Sequence, residues 1–303
     1  MIARMQQAWV VGTVLGLALW CLWAWPRSPV LACVGLALPG LGLMLVMGSQ
    51  FAWMHRANVR DAAPRASAAQ VWRAWWTEMG VALQVFGWRQ PFLSHMQPDW
   101  LPTAGTDAPP RGVVLVHGFQ CNRAVWLPWF APLRAGGHAY VAVNLEPVFG
   151  SIDRYAPLID AAVQRVTNAT GRAPVLVCHS MGGLAVRAWL RTYQGEARVH
   201  RVITLGTPHG GTLLAEWGHA RNGQQMRCAS PWLVALQASE SAALAKLFTC
   251  WYSNCDNIVF PASTAVLAGS TPRFIDGVAH VQMALHPQVI NTCLHELARD
   301  SVV

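Results

Sequence analysis

The chain has 303 residues, 53% of them hydrophobic and only 12% charged, with a net charge of +8. That length holds one domain with a full core plus additional segments. The positive charge is spread over single arginines with no compact basic run, which argues against a nucleic-acid partner and for an anionic membrane surface.

Residues 9–25 carry no charge, and after Pro26-Arg27-Ser28-Pro29 a second uncharged run covers 30–54, interrupted by Pro39-Gly40. The first is at the short end for a membrane span; the second is long enough with tilt. Trp9, Trp20, Trp23, Trp25 and Trp53 lie near the run ends, as interfacial anchors do. Residues 1–60 therefore read as a membrane anchor of two transmembrane helices. A cleaved signal peptide is the competing reading. Arg4 and the first run suit it, but no small-x-small cleavage site follows. Val30-Leu31-Ala32-Cys33 loosely resembles a lipoprotein box, yet it lies inside the second run. Arg4 precedes the first span, His55, Arg56, Arg60 and Arg65 follow the second, and only Arg27 is in the turn. The positive-inside rule then places both ends and the large domain in the cytoplasm, at a bacterial inner membrane.

Residues 61–110 hold an amphipathic segment and a linker. Val71, Trp72, Trp75, Trp76, Met79, Leu83 and Phe86 recur at helical spacing, with Arg73, Thr77, Glu78 and Gln84 off that stripe. The Trp-rich face lies either on the bilayer or against the large domain. Residues 94–111, rich in Pro, Gly, Thr and Asp, read as the linker.

A domain over 111–303 follows. Strands are expected at 113–116, 139–143, 175–177 and 201–205, and helices at 126–135 and about 152–168. Strands alternating with helices give an α/β fold with a mostly parallel, doubly wound sheet. Sites in such sheets lie at the carboxyl ends of strands, where His117, Ser180 and Gly206-Thr207-Pro208 fall. The spacing of Cys121, Cys178, Cys228, Cys250, Cys255 and Cys293 matches no zinc pattern. Cys250 and Cys255 either form a bridge or, with the rest, are free thiols.

Cys178-His179-Ser180-Met181-Gly182 joins an apolar strand to a helical run. A sharp turn there projects the Ser180 hydroxyl and places the Met181 N–H at a helix start. The plainer alternative is a turn in which Ser180 caps the helix. Taken with Leu115-Val116-His117-Gly118-Phe119 and Leu205-Gly206-Thr207-Pro208-His209-Gly210-Gly211-Thr212, the segment resembles the bacterial triacylglycerol lipase and esterase branch of the α/β-hydrolases, over roughly 111–295. Cys178 replaces the usual first glycine of that elbow.

The resemblance implies Ser180 as nucleophile, with Phe119 and Met181 supplying oxyanion-hole N–H groups. It implies an acid and a histidine later in the chain, in that order. Asp256, in a polar turn before Ile258-Val259-Phe260-Pro261, is the expected acid over Asp276 and Glu240. His280 is the expected base over His286 and His295. Residues 212–249 hold either a lid or core packing, with Trp217, Met226, Trp232, Leu233 and Leu236 as its apolar part. The resemblance implies ester hydrolysis on a lipid-like or other apolar acyl substrate, with no cofactor, no metal and no obligate protein partner. Acyl transfer or thioester hydrolysis on the same triad, and a non-catalytic lipid- or partner-binding protein, are the alternatives.

Overall fold

The computed structural model describes residues 1–102 and 109–302, so part of the expected linker lies outside the described residues. Six short runs form one sheet: Val113–Val116 (β1), Tyr140–Val143 (β2), Val175–His179 (β3), Arg201–Leu205 (β4), Phe248–Tyr252 (β5) and Thr271–Phe274 (β6). The order is β2-β1-β3-β4-β5-β6 and every pairing is parallel. Continuous apolar runs suit strands covered on both faces, because successive side chains alternate. In β1, Val114 and Val116 enter one core while Val113 and Leu115 enter the other. β3 extends past the expected 175–177 because Cys178 aligns with Val116 and His179 with Leu205.

Eleven α-helical segments are described. The first four are Ile2–Ala24 (α1), Pro29–Ala57 (α2), Ala68–Gln84 (α3) and Gln90–Phe92 (α4). Leu127–Ala135 (α5), Ala156–Thr170 (α6), Met181–Tyr193 (α7), Arg221–Gln225 (α8) and Pro231–Ala238 (α9) follow. His280–Leu285 (α10) and Pro287–Val302 (α11) complete the set. α6 and α7 cover one face of the sheet, with Tyr155 and Trp189 buried beneath them. α5, α10 and α11 cover the other, over Trp126, Trp129 and Met283. α5 and α6 each have proline in the first turn and are each preceded by a 3-10 turn, so the α-helix proper starts later than the apolar pattern does. On the outer edge of β2, Trp100 pairs antiparallel with Tyr140 and covers an otherwise open strand.

α1 and α2 are both long and apolar enough to cross a membrane. Trp9, Leu22, Val30 and Leu45 project outward from them. The last turns of α2 are buried instead: Met47, Phe51 and Met54 pack with Cys255, Phe260 and Ala279. α3 starts at a capping box, with Ser67 Oγ accepting from Gln70 N and the Gln70 side chain accepting from Ser67 N. It passes through a π-helical turn (Val85–Arg89) into α4. Its buried face differs from the expected stripe. Ala74, Glu78 and Met79 are buried, whereas Trp72, Trp76 and Leu83 stay exposed. The reason is position: α3 packs against both α2 and α10, and the contact with α10 runs through the charged side. Between β4 and β5, Met226, Leu233 and Leu236 are buried and Trp217 is exposed.

Candidate active site

β1 lies between β2 and β3, so the chain leaves it in opposite directions, and a crevice opens at the carboxyl ends there. The register brings the ends of β1, β3 and β4 level. Ser180 is the residue between β3 and α7, and its N–H donates to Leu205 O at 2.9 Å. Its backbone has φ 55° and ψ −130°, a conformation that L-residues hold only under constraint. The constraint is close packing. A Cβ at Gly182 would lie 2.4 Å from Val116 O, one at Gly183 2.3 Å from Thr207 Oγ1, and one at Gly118 2.7 Å from Ser180 Cβ. Ser180 makes no side-chain cap bond to α7, so its hydroxyl is not used to start the helix. Cys178, where the motif usually has glycine, is fully buried, and burial pushes its thiol pKa well up. It serves as a small core residue.

His280 opens α10, and its Nδ1 lies 2.9 Å from Asp256 Oδ2. Asp256 sits in the turn after β5, and its Oδ1 accepts from Ile258 N at 2.9 Å and Val259 N at 2.8 Å. Those two donors orient the carboxylate. With Nδ1 engaged, Nε2 of the neutral imidazole remains a free base. Burial opposes the charged form of His280, but the Asp256 charge and hydrogen bond, together with Glu78, outweigh it and raise the pKa. Two neighbours of Ser180 touch this pair. The His179 ring lies 4.7 Å from that of His280, and His179 Nε2 bonds His280 O at 3.1 Å. Gly206, whose N–H donates to Trp251 O, has φ 58°, and a Cβ there would lie 2.8 Å from Asp256 Oδ2.

The rival residues have other partners. Glu240 forms a buried two-point ion pair with Arg187, at 2.7 Å for each contact. Asp276 accepts from Asn254 and Gln70. His286 caps the far end of α10, and His295 is exposed on α11. His117 is buried between loops: Nδ1 bonds Gly118 O, Nε2 accepts from Leu145 N, and burial lowers its pKa to about 4. It thereby fixes the loop carrying Phe119. Among the described residues, neither the Phe119 N–H nor the Met181 N–H donates to a backbone acceptor. The cysteines are free thiols, Cys250 and Cys255 included. No cluster of three or more potential metal ligands occurs among the described residues.

The sequence profile described as "Alpha/beta hydrolase family" matches residues 113–293, from β1 into α11. The chain belongs to the alpha/beta hydrolase family. Solved structures share this hydrolase's fold. The mature form of Bacillus licheniformis lipase BlEst2 superposes with a TM-score of 0.55 and 16% identity, over 65% of this chain and 95% of that one. Aspergillus fumigatus lipase B gives 0.54 and 16%, over 62% of this chain and 52% of that one. No curated protein matches the sequence. The profile begins after α1–α4, yet α2 and α3 reach the candidate site of the hydrolase. Glu78 on α3 accepts from Val281 N and Gln282 N, and Gln50 on α2 accepts from Asn257 Nδ2. Sequence reasoning passed over Glu78, Gln50 and Asn257. The only local signal for Glu78 was an acid inside a Trp-rich helix.

Proposed function

We propose that this α/β-hydrolase is a membrane-anchored serine hydrolase of carboxylic esters with apolar acyl groups. The observation that carries the reading is Ser180, held at φ 55° in a strand-to-helix turn whose neighbours pack on the His280–Asp256 pair. A serine hydroxyl attacks a carbonyl only when a base takes its proton. His280 Nε2 takes it, and then delivers it to the departing alcohol. Asp256 holds the tautomer and stabilises the imidazolium. The Phe119 and Met181 N–H groups bind the tetrahedral oxyanion, Met181 with the added field of the α7 N-terminus. The acyl-enzyme is then hydrolysed by water along the same route.

The solved neighbours named as lipases support an acyl ester as the substrate class. The outward apolar faces of α1 and α2 support the anchor, and the flanking arginines support a cytoplasmic domain. The test is fluorophosphonate labelling of the wild type and Ser180→Ala, alongside hydrolysis of short- and long-chain nitrophenyl esters. Ser180→Ala is expected to lose labelling and at least about 10⁴-fold in turnover. A folded Ser180→Ala protein that still labels and turns over would sink the assignment.

A further inference from the structure

α10 has six residues and starts at His280. The first N–H groups of any helix lack partners within it. Here the residue before it is Ala279, which has no side-chain acceptor, so capping has to come from elsewhere. Glu78, 1% exposed, supplies it: Oε1 accepts from Val281 N at 2.7 Å and Oε2 from Gln282 N at 3.0 Å. Asn257 Oδ1 lies 3.4 Å from His280 N, and its Nδ2 donates to Gln50 Oε1 at 2.9 Å. The first three N–H groups of the histidine helix are thus held, directly or through Asn257, by α3 and α2. Both helices lie outside the matched family region.

We propose that Glu78 is a positioning residue for His280, making α3 a working part of the catalytic unit. The proposal rests on the triad reading above. An apolar side chain would anchor α3 without burying a carboxyl, which is costly unless its bonds compensate. Glu78, on α3, instead accepts from the start of the one short helix that carries His280. Its two-point grip fixes the backbone from which the imidazole reaches Asp256. Its charge adds to that of Asp256 in favouring the imidazolium form.

The groups facing Glu78 are His280 on α10, Asp256 after β5 and Cys121 after β1. His280 also faces His179 at the end of β3. Burial raises the Glu78 pKa to about 7, against the two amide bonds and His280, so it ionises in the working range of the histidine. Removing its charge lowers the His280 pKa. The base is then neutral, and active, at lower pH.

The test uses full-length protein in detergent, with a short-chain nitrophenyl ester and the fluorophosphonate as probes. Glu78→Gln and Glu78→Asp are compared with the wild type across the acid limb of kcat/KM, with thermal unfolding recorded for each. Glu78→Gln is expected to move the limb to lower pH by about half a unit or more, because a neighbouring negative charge is lost. Its plateau kcat is expected to fall about tenfold or more while KM changes little, because the base is less well placed. Glu78→Asp keeps the charge and is expected to leave the limb in place with part of the plateau restored. A folded Glu78→Gln with the wild-type plateau kcat would overturn the proposal, whether or not its unfolding temperature drops. If Glu78→Gln does not fold, Glu78→Asp decides: lowered kcat on an unmoved limb supports positioning, and wild-type kcat overturns it. A wild-type protein without Ser180-dependent labelling would instead remove the triad reading, a failure visible before any Glu78 variant is made.

Discussion

At Gly206 the chain has room for a hydrogen and nothing larger. Its φ is positive, and a methyl there would lie 2.8 Å from Asp256 Oδ2 and 3.2 Å from His280 Nδ1. Gly206→Ala is therefore expected to disturb the acid–base pair more than the sheet. We expect kcat/KM to fall about tenfold or more, with the cost in stability confined to about 1–3 kcal/mol of local strain. Steady-state kinetics beside denaturant unfolding checks both. The His280–Asp256 pair also sets a pH dependence. In the proposed mechanism His280 is a base only when neutral, and its pKa is raised above the ordinary 6.5. Activity is therefore expected to fall as pH drops through a value above that of a free imidazole. A kcat/KM profile with its acid limb below that value would contradict the arrangement. The residues of this pair were legible as candidates because their surroundings resemble the acid and histidine loops of the family. The choice of Asp256 over Asp276 and Glu240 became geometric only when the other two were seen bonded to Asn254 and Arg187.

Among the elements, α7 and α3 show opposite limits of reading a helix from its pattern. α7 was legible because Leu184, Val186 and Leu190 follow the turn at helical spacing, and residues 181–190 are all buried. Its Trp189 is fully buried, donates to Asp160 Oδ1 at 3.0 Å, and carries the Arg198 guanidinium 5.7 Å from its ring. Trp189→Ala is expected to cost about 3–5 kcal/mol in denaturant unfolding, as for other large core truncations. A loss below about 1 kcal/mol would mean the site collapses around the gap. α3 was legible as a helix and not by orientation. Periodicity reports where apolar residues cluster, and not which neighbour they meet. Wedged between α2 and α10, α3 buries Glu78 and leaves Trp72 and Trp76 outside.

For the molecule as a whole, one parallel sheet gathers the candidate site at its carboxyl edge, and α2 and α3 close around the acid loop and α10. Asn58 bonds Asn254 O and Ala262 N, and Asp61 bonds Ser263 on the same loop. The outward faces of α1 and the first half of α2 are apolar and exposed. Full-length protein is therefore expected to stay with the membrane fraction through alkaline carbonate extraction, as spanning helices do. Quantitative release into the supernatant would overturn the anchor.

Asp256 and His280 were named through the family resemblance; by itself the sequence determined the first four strand runs, the strand-to-helix turn at Ser180 and the two long apolar helices. These are local signals: side-chain alternation, turn residues and uncharged length act over a few neighbouring positions. Only the tertiary structure decided that Gly206 seals the Asp256–His280 pair and that Glu78 caps the histidine helix across 203 residues of chain. Contacts of that span depend on how whole helices cross, and a single buried acid leaves no period in the sequence to announce its partner.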